Sequence, residues 1–187
     1  VISNEKFLSI NNSKNQEGAT IAYRDDPFFI DPRNKELGAR GIVNLEKLYL
    51  SIKKLELKLE DSKNYYELSY NLGIAQINTK NLQEKIFGLE CNFEELNGID
   101  FKKGCYVGQE NTARMKLKNK VRKKLFAIKS NDKLKIGSDI NFNSIKIGQI
   151  VIDEPYPFGL IKIVDPDFSE YKDKDLLIND SKSKIIQ

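Results

Sequence analysis

The chain has 187 residues, enough for one large domain or two small ones with a buried core. Its 40% hydrophobic and 31% charged residues are typical of a globular protein, and its net charge of +4 allows an anionic ligand without indicating nucleic acid. No apolar run approaches the length of a membrane span, and the opening residues do not resemble a signal peptide, so we expect no membrane partner.

The histidine and cysteine counts exclude several kinds of catalytic and metal-binding site. Histidine is absent, which excludes Ser-His-Asp and Cys-His catalysis and histidine metal ligands within this chain. The two cysteines, Cys91 and Cys105, form no C-x-x-C pair, so neither a zinc knuckle nor a redox dithiol is predicted. So few cysteines indicate a reducing compartment, where structural disulfides are rare.

Strands and then helices are predicted along the first part of the chain. Residues 11–15 read as a loop, and short strands are predicted at 20–24, 28–30 and 38–43, with a turn at 25–27. Apolar residues then recur at steps of three and four from Leu45 to Leu59, which predicts an amphipathic helix with Asn44 as its N-cap. Further helical segments are predicted at 62–72, ending at Gly73, at 81–87 and at 94–97.

The pattern changes after residue 120. Short strands are predicted at 125–129, 145–152, 158–164 and 175–178, with turn signals between them. This spacing predicts a small antiparallel barrel or sandwich. We therefore place a domain boundary near 120, between residues 1–119 and 120–187.

The segment 98–110, G-I-D-F-K-K-G-C-Y-V-G-Q-E, holds one thiol between two glycines. Gly104 and Gly108 permit tight turns on either side of Cys105, and a short helix can begin after Gly108. The positive end of that helix and the neighbouring Lys102 and Lys103 would favour the thiolate of Cys105. Cys91 lacks this setting and is interpreted as a packing residue.

Residues 103–110 resemble the signature K-G-C-Y-x-G-Q-E of the YgfZ family of folate-binding proteins. These proteins are relatives of the glycine-cleavage T-protein, an aminomethyltransferase, and act in iron–sulfur cluster assembly and repair. The neighbouring segments 90–99 and 113–114 resemble the family's E-x-N, L-x-G-I and A-R motifs. Residues 29–40 resemble an upstream F-x-D-P-R…L-G-x-R segment, whereas Ser69 stands where the family has arginine.

The resemblance implies an α+β fold, with the C-terminal part of a GcvT-like folate-binding domain followed by a small antiparallel β-barrel. Because the chain begins with Val, we expect an N-terminal part of that domain to be missing. Tetrahydrofolate or a folate derivative is the implied cofactor, and iron–sulfur proteins or cluster carriers are the implied partners. The location would be the cytoplasm of a bacterium or, in a eukaryote, the mitochondrial matrix.

The resemblance also assigns roles to single residues. Cys105 would be the working thiol, which could ligate or hand over a cluster or form a transient adduct. One thiol cannot hold a four-thiolate cluster, so any cluster would need a partner protein or small thiols. Glu90 and Asn92 would line the folate cavity, where a carboxylate suits the amide and amino edge of a pterin. Lys103, Gly104 and Gly108 would form the structural frame of the motif.

Four more residues of the motif have two interpretations each, a folate-binding role and a structural role. Tyr106 could stack on folate or pack in the core, and Arg114 could bind the folate tail or pair with Glu110 along a helix. Gln109 and Glu110 could contribute to the folate site or fix the turn through backbone hydrogen bonds. Upstream, Asp31 and Arg33 are interpreted as a buried pair that holds a turn, with Arg40 in the same network.

Two other functions stay open. The first is an aminomethyltransferase, which would share the fold. The second is an RNA-binding module that uses segment 116–124, in which six of nine residues are basic. We prefer a solvated basic strand for that segment, because no aromatic residues are interleaved for base stacking, and we expect no direct nucleic-acid contact.

Overall fold

The structure, a computed structural model, describes residues 1–10 and 15–186. It divides into two compact units, one of residues 1–65 and 95–98, the other of residues 66–94 and 99–187. The loop predicted at 11–15 lies, apart from Asn15, outside the described residues. None of the described helices combines the length and apolar character needed to cross a bilayer.

The first unit contains a three-stranded antiparallel sheet and two helices. Its elements are α1 (Asn4–Ile10), β1 (Thr20–Tyr23), β2 (Asp26–Ile30), β3 (Ala39–Gly41) and α2 (Leu45–Lys54), with strand order β1-β2-β3. Phe7 of α1 packs with Phe28, Ile30 and Ala39 of the sheet to form the core of this unit. The sequence did not predict α1, because residues 1–18 show no helical period.

The first hairpin turns one residue earlier than predicted. Arg24 and Asp25 form the two-residue loop between Tyr23 and Asp26, so Asp26 and Pro27 belong to β2 rather than to the turn. Both loop residues have positive φ, 53° and 71°, as a type I′ turn requires. This turn type matches the right-handed twist of the strands it joins.

Helix α2 begins as predicted but ends early. The Asn44 side chain accepts a hydrogen bond from the Glu46 N–H at 2.8 Å, which confirms the N-cap. The helix ends at Lys54 instead of continuing to Leu59, since Glu56 adopts a positive φ of 52°. Leu45 and Tyr49 are 84% and 71% exposed, so the apolar stripe is only partly covered within this unit.

Helix α3 spans Ser62–Asn71, close to the prediction, and Gly73 follows it with a φ of 69°. Ser69 is fully buried, and its hydroxyl donates to the Ile74 carbonyl at 2.7 Å. The buried setting suits a small hydroxyl and leaves no solvent-facing place for the arginine found in the resembling motif. A short 3₁₀ helix, Thr79–Leu82, replaces the helix predicted at 81–87.

The second unit contains helix α4 (Gln109–Leu117) and a closed six-stranded antiparallel barrel. The barrel strands are β4 (Lys123–Ser130), β5 (Asp139–Phe142), β6 (Ile145–Ile152), β7 (Phe158–Lys162), β8 (Leu176–Ile178) and β9 (Ser181–Ile186), in the order β4-β7-β6-β5-β8-β9 with β9 returning to β4. This confirms the α+β class and the C-terminal barrel. The domain boundary near 120 stays a prediction.

Two hydrophobic clusters lie on opposite faces of β4, because successive side chains of a strand alternate. Ile128 belongs to the cluster that fills the barrel, together with isoleucines of β5, β6 and β7. Leu125 and Ala127 belong to an outer cluster with Phe158 and Leu82. A Cβ at Gly159 would overlap the Ile140 side chain, so this glycine lets β7 approach the inner cluster closely.

Strands β5 and β9 were not predicted. The two-residue hairpin loop Asn143-Ser144 joins β5 to β6, the loop Asn179-Asp180 joins β8 to β9, and all four loop residues have positive φ. The first four residues of β9 are all polar, and the first apolar residue is Ile185. The usual alternation of apolar and polar residues is missing because Ser183 occupies an inward-facing position. The strand is held by its pairing with β4 and β8 rather than by its own composition.

Candidate functional site

The thiol loop, defined here as residues 99–108, carries Cys105 into solvent. Every residue from Phe101 to Gly108 is exposed, and Val107 is 102% exposed at the tip. At the start of the loop the Asp100 carboxylate accepts a hydrogen bond from the Lys102 N–H at 2.8 Å, which fixes the entry turn. The cysteine predicted as the working thiol is therefore open to a second molecule.

Gln109 closes the loop against helix α4. Its side-chain oxygen accepts from the Tyr106 N–H at 3.0 Å, and its own N–H donates to the Tyr106 carbonyl at 3.3 Å. Gly108 between them has a φ of 86°, which a side chain would disfavour. These contacts agree with the interpretation in which Gln109 fixes the turn, and the structural role of Gly108 stays a prediction.

Lysine side chains lie over both aromatic rings of the loop. The Nζ of Lys103 is 5.3 Å from the centre of the Tyr106 ring, and the Nζ of Lys116 is 5.7 Å from that of Phe101. Lys116 also forms an ion pair with the Glu94 carboxylate at 2.6 Å. Tyr106 is 41% exposed, so in this structure it is a surface residue and not a core aromatic.

Glu90 and Asn92 are bonded to the first strand of the barrel. The Leu125 N–H donates to the Glu90 carbonyl at 2.8 Å, and the Asn92 side-chain amide donates to the Leu125 carbonyl at 2.7 Å. Strand β9 pairs with β4 only from Ala127 onward. The two contacts to Leu125 therefore lie on the edge of β4 that β9 leaves uncovered. Segment 87–93 thus acts as a short extension of the barrel wall.

The Glu90 side chain also stabilises its own turn. One carboxylate oxygen accepts from the Phe87 N–H at 3.1 Å, and the other makes no hydrogen bond within the described residues. Asn92 has a positive φ of 61°, which asparagine tolerates better than most residues. Both residues predicted to line a ligand cavity are half-buried and already have a structural contact.

Cys91 lies in a different environment from Cys105. It packs against the outer hydrophobic cluster, and burial, with a smaller contribution from the Glu90 charge, raises the pKa of its thiol. A raised pKa keeps the sulfur protonated and unreactive. These features agree with the packing role expected for this cysteine.

Glu110 and Arg114 are exposed on the first turns of α4. Within the described part of the chain neither of them forms an ion pair, so the alternative of a salt bridge between the two is not seen. Gly104 is exposed, and a Cβ there would meet open space. The exposed carboxylate and guanidinium remain available to a partner or ligand.

Asp31 is the centre of a separate network in the first unit. Its fully buried carboxylate accepts hydrogen bonds from Arg33 at 2.7 and 3.0 Å and from Arg40 at 2.6 Å. Burial raises the pKa of Asp31, but the hydrogen bonds from the two arginines outweigh that effect and hold the pKa below its usual value. Both arginines also donate to the Tyr65 hydroxyl, a contact that the sequence did not reveal.

The predicted residues fall into three groups. Lys103, Cys105 and Gln109 belong to the thiol loop and its helix, Glu90 and Asn92 to the segment bonded to β4, and Asp31 and Arg33 to the other unit. Sequence reasoning missed Glu94 and Lys116, whose pairing depends on a contact between residues 22 positions apart. Within the described residues, no three His, Cys, Asp or Glu side chains come together as a metal site.

The chain, which has an exposed thiol in a glycine-flanked loop before a helix and then a small closed barrel, is similar to proteins named as iron–sulfur cluster assembly factors. It is 39% identical over 102 residues to "Iron-sulfur cluster assembly factor IBA57 homolog, mitochondrial" of Dictyostelium discoideum, an alignment that covers 53% of this chain and 24% of that protein. Proteins of the same name from Neurospora crassa and Mycosarcoma maydis are 38% identical over 95 residues and 34% identical over 113. These two alignments cover 51% and 60% of this chain, and 21% and 27% of the relatives.

The chain thus spans about a quarter of the length of these curated relatives. No protein-family model matches it. The similarity covers roughly half of the chain and links it to proteins named as iron–sulfur cluster assembly factors.

Proposed function

We propose that this chain is part of an iron–sulfur cluster assembly factor in which Cys105 is the working thiol. The observation that carries the proposal is the exposure of Cys105 in a loop closed by Gln109, in a chain similar to proteins named for this function. Loop closure holds the thiol outside the hydrophobic clusters, where a second protein can reach it. The names of the relatives favour a mitochondrial location, if the source is eukaryotic.

A single thiol sets the chemistry available to this chain. Iron–sulfur clusters are held by several thiolates. The other cysteine of the chain, Cys91, packs against the outer hydrophobic cluster of side chains and is not placed to be a second ligand. Cys105 would therefore supply one ligand while a carrier or client protein supplies the others, and the cluster would pass through this site as cargo. The thiolate is the metal ligand, so the proton of Cys105 must leave before the iron–sulfur bond forms.

We further propose tetrahydrofolate as a ligand of the same protein. The chemistry of Glu90 fits a pterin edge, because one of its carboxylate oxygens makes no hydrogen bond in the described part of the chain. The Asn92 side-chain oxygen is likewise a spare acceptor, since the contact to Leu125 uses only its amide donor. Arg114, exposed on α4, would suit a carboxylate of the folate tail.

A complementation experiment tests the role of the thiol. The gene encoding this chain, wild type or with Cys105→Ala, is introduced into cells that lack their own cluster assembly factor. The readout is the activity of a radical enzyme with a four-iron cluster that methylthiolates tRNA. We expect the wild type to restore activity and Cys105→Ala to lose it, while Cys91→Ala, the matched control, retains it.

Other outcomes of this experiment have distinct meanings. Equal rescue by wild type and Cys105→Ala would remove the thiol from the mechanism and leave the folate ligands to carry the function. No rescue by any form would favour the aminomethyltransferase alternative, which is measured directly as transfer of a one-carbon unit to tetrahydrofolate. Folding of each variant is checked by urea denaturation, so that loss of rescue is not confused with loss of structure.

A further inference from the structure

A basic surface lies at the start of the barrel, formed by Lys118, Lys120, Arg122, Lys123 and Lys162. The first four fall within six positions, from the end of α4 to the first residue of β4, and all four are exposed. Lys162 joins them through the sheet, because it is the register partner of Lys123 on the neighbouring strand β7. The Ile163 N–H also donates to the Arg122 carbonyl at 2.8 Å, which holds the two segments together.

The charges of this surface are not neutralised within the chain. In the described part of the structure none of the five side chains forms an ion pair, whereas the nearby Lys116 is paired with Glu94. Lys123 and Lys162 are directly opposite one another on the adjacent strands β4 and β7, and like charges in this arrangement lower stability. In the turn after β7, Asp167 and Glu170 form hydrogen bonds within their own capping box. The surface is therefore an unbalanced cationic patch.

Aliphatic side chains accompany the charges. Leu117, which ends α4, is 84% exposed, and Val164, two residues beyond Lys162, is 49% exposed. Phosphate groups gain nothing from aliphatic contacts, and residues 117–124 contain no aromatic ring on which a base could stack. Apolar groups with charged neighbours are typical of a protein–protein interface.

We propose that the basic surface, with Leu117 and Val164, docks an acidic segment of a partner protein that also carries aliphatic side chains. An acidic partner would relieve the repulsion between Lys123 and Lys162, and its aliphatic groups would cover Leu117 and Val164. Charge complementarity of this kind mainly raises the rate of association and selects among partners. The inference does not depend on the chemistry of Cys105, so it can fail or hold independently of the proposed cluster function.

The test measures binding of two labelled probes to the purified chain by fluorescence anisotropy, at low and at physiological salt. One probe is a peptide of repeated Asp-Glu-Leu units, and the other is a mixed-sequence RNA duplex. The charge variant replaces Lys118, Lys120, Arg122 and Lys123 with glutamine. The matched control replaces four exposed lysines elsewhere in the same unit, Lys80, Lys85, Lys133 and Lys135, with glutamine.

We expect the charge variant to bind the peptide at least about tenfold more weakly than wild type, since each exposed ion pair contributes up to a few-fold in affinity. The control variant should bind as wild type does. Leu117→Ser and Val164→Ser should each weaken peptide binding about threefold through loss of apolar contact, and leave RNA binding unchanged.

Three results would overturn the proposal. They are the absence of peptide binding at low salt, equal loss in the charge and control variants, and tighter binding of the RNA duplex than of the peptide. All the substituted residues are exposed, so we expect every variant to fold, and urea denaturation checks this. If the fourfold variant does not fold, the single variants Lys120→Gln and Arg122→Gln, both outside the strands, take its place.

Discussion

Cys91 and Cys105 carry the same chemical group in opposite surroundings, and thiol reactivity should separate them. Cys105 is exposed, whereas burial of Cys91 raises the pKa of its thiol and limits access to it. Near neutral pH we expect Cys105 to react with a thiol reagent at least about tenfold faster than Cys91. Stopped-flow measurement with Ellman's reagent, followed by mass spectrometry, assigns the two phases.

Serine variants provide the control for this labelling experiment. Cys105→Ser should remove the fast phase, and Cys91→Ser should leave it intact. Equal rates for the two cysteines in the folded protein would contradict the environments described here. Full labelling of both in urea verifies that the slow phase reflects the fold.

Asp31 binds two arginines of the first unit, Arg33 and Arg40, through one buried carboxylate. Asp31→Asn leaves Arg33 and Arg40 without their counter-charge, and we expect the free energy of unfolding to fall by about 3 kcal/mol. Urea denaturation measures this change. Glu36→Gln, an exposed carboxylate in the same unit, serves as control and should change stability by less than about 0.5 kcal/mol.

The lowered pKa of Asp31 also predicts that the free energy of unfolding decreases at acidic pH. Because its pKa in the folded state lies below the ordinary value of 3.8, the carboxylate contributes its full stabilisation above that value. The contribution is lost as the pH falls through the lower, folded pKa. Wild type should therefore lose stability more steeply than Asp31→Asn below about pH 4; parallel curves would contradict this.

Residue-level prediction from sequence succeeded where the contacts are local. The D-P-R spacing brings Arg33 within two residues of Asp31, so the pair was predictable from the motif. Tyr65, which receives hydrogen bonds from both arginines, is 25 and 32 positions away from them. Its contribution depends on the tertiary fold and leaves no local pattern.

At the scale of elements, Asn92 joins segment 87–93 to strand β4. Asn92→Ala removes the hydrogen bond to Leu125 and places alanine at a positive φ, so we expect a loss of about 2 kcal/mol in unfolding free energy. Asn92→Gly removes the same hydrogen bond but accepts the positive φ, and should lose about 1 kcal/mol. Chemical denaturation of both variants separates the two effects, and equal losses would exclude a cost from the positive φ.

Elements with a strong period were predicted, and elements held by their neighbours were not. Helices α2 and α4 follow capping and glycine signals, and β4, β6 and β7 follow apolar runs. Strand β9 begins Ser-Lys-Ser-Lys and acquires its conformation from pairing with β4 and β8. The contacts of Glu90 and Asn92 with Leu125 were equally hidden, because they join segments 33 to 35 positions apart.

At the scale of the whole molecule, the barrel shares its outer cluster with residues that precede it. Tyr70 donates to the Ile128 carbonyl at 2.5 Å, and Leu82 packs with Leu125 and Phe158. We expect a fragment of residues 61–187 to unfold cooperatively and a fragment of residues 120–187 to expose its outer cluster and bind a hydrophobic dye. Denaturation and dye fluorescence test this, and a cooperative, dye-free 120–187 fragment would favour the boundary near 120.

The three hairpin turns offer a means of engineering more robust forms of the protein. Each holds two residues with side chains in the left-handed region, where glycine at the second position is the favoured choice. Ser144 lacks the tolerance that Asn and Asp have for this conformation, so Ser144→Gly should raise the melting temperature, with a gain of up to about 1 kcal/mol. Calorimetry measures the gain, and a lower melting temperature than wild type would contradict it. A barrel strengthened in this way would tolerate more destabilising substitutions in the thiol loop than the natural chain does.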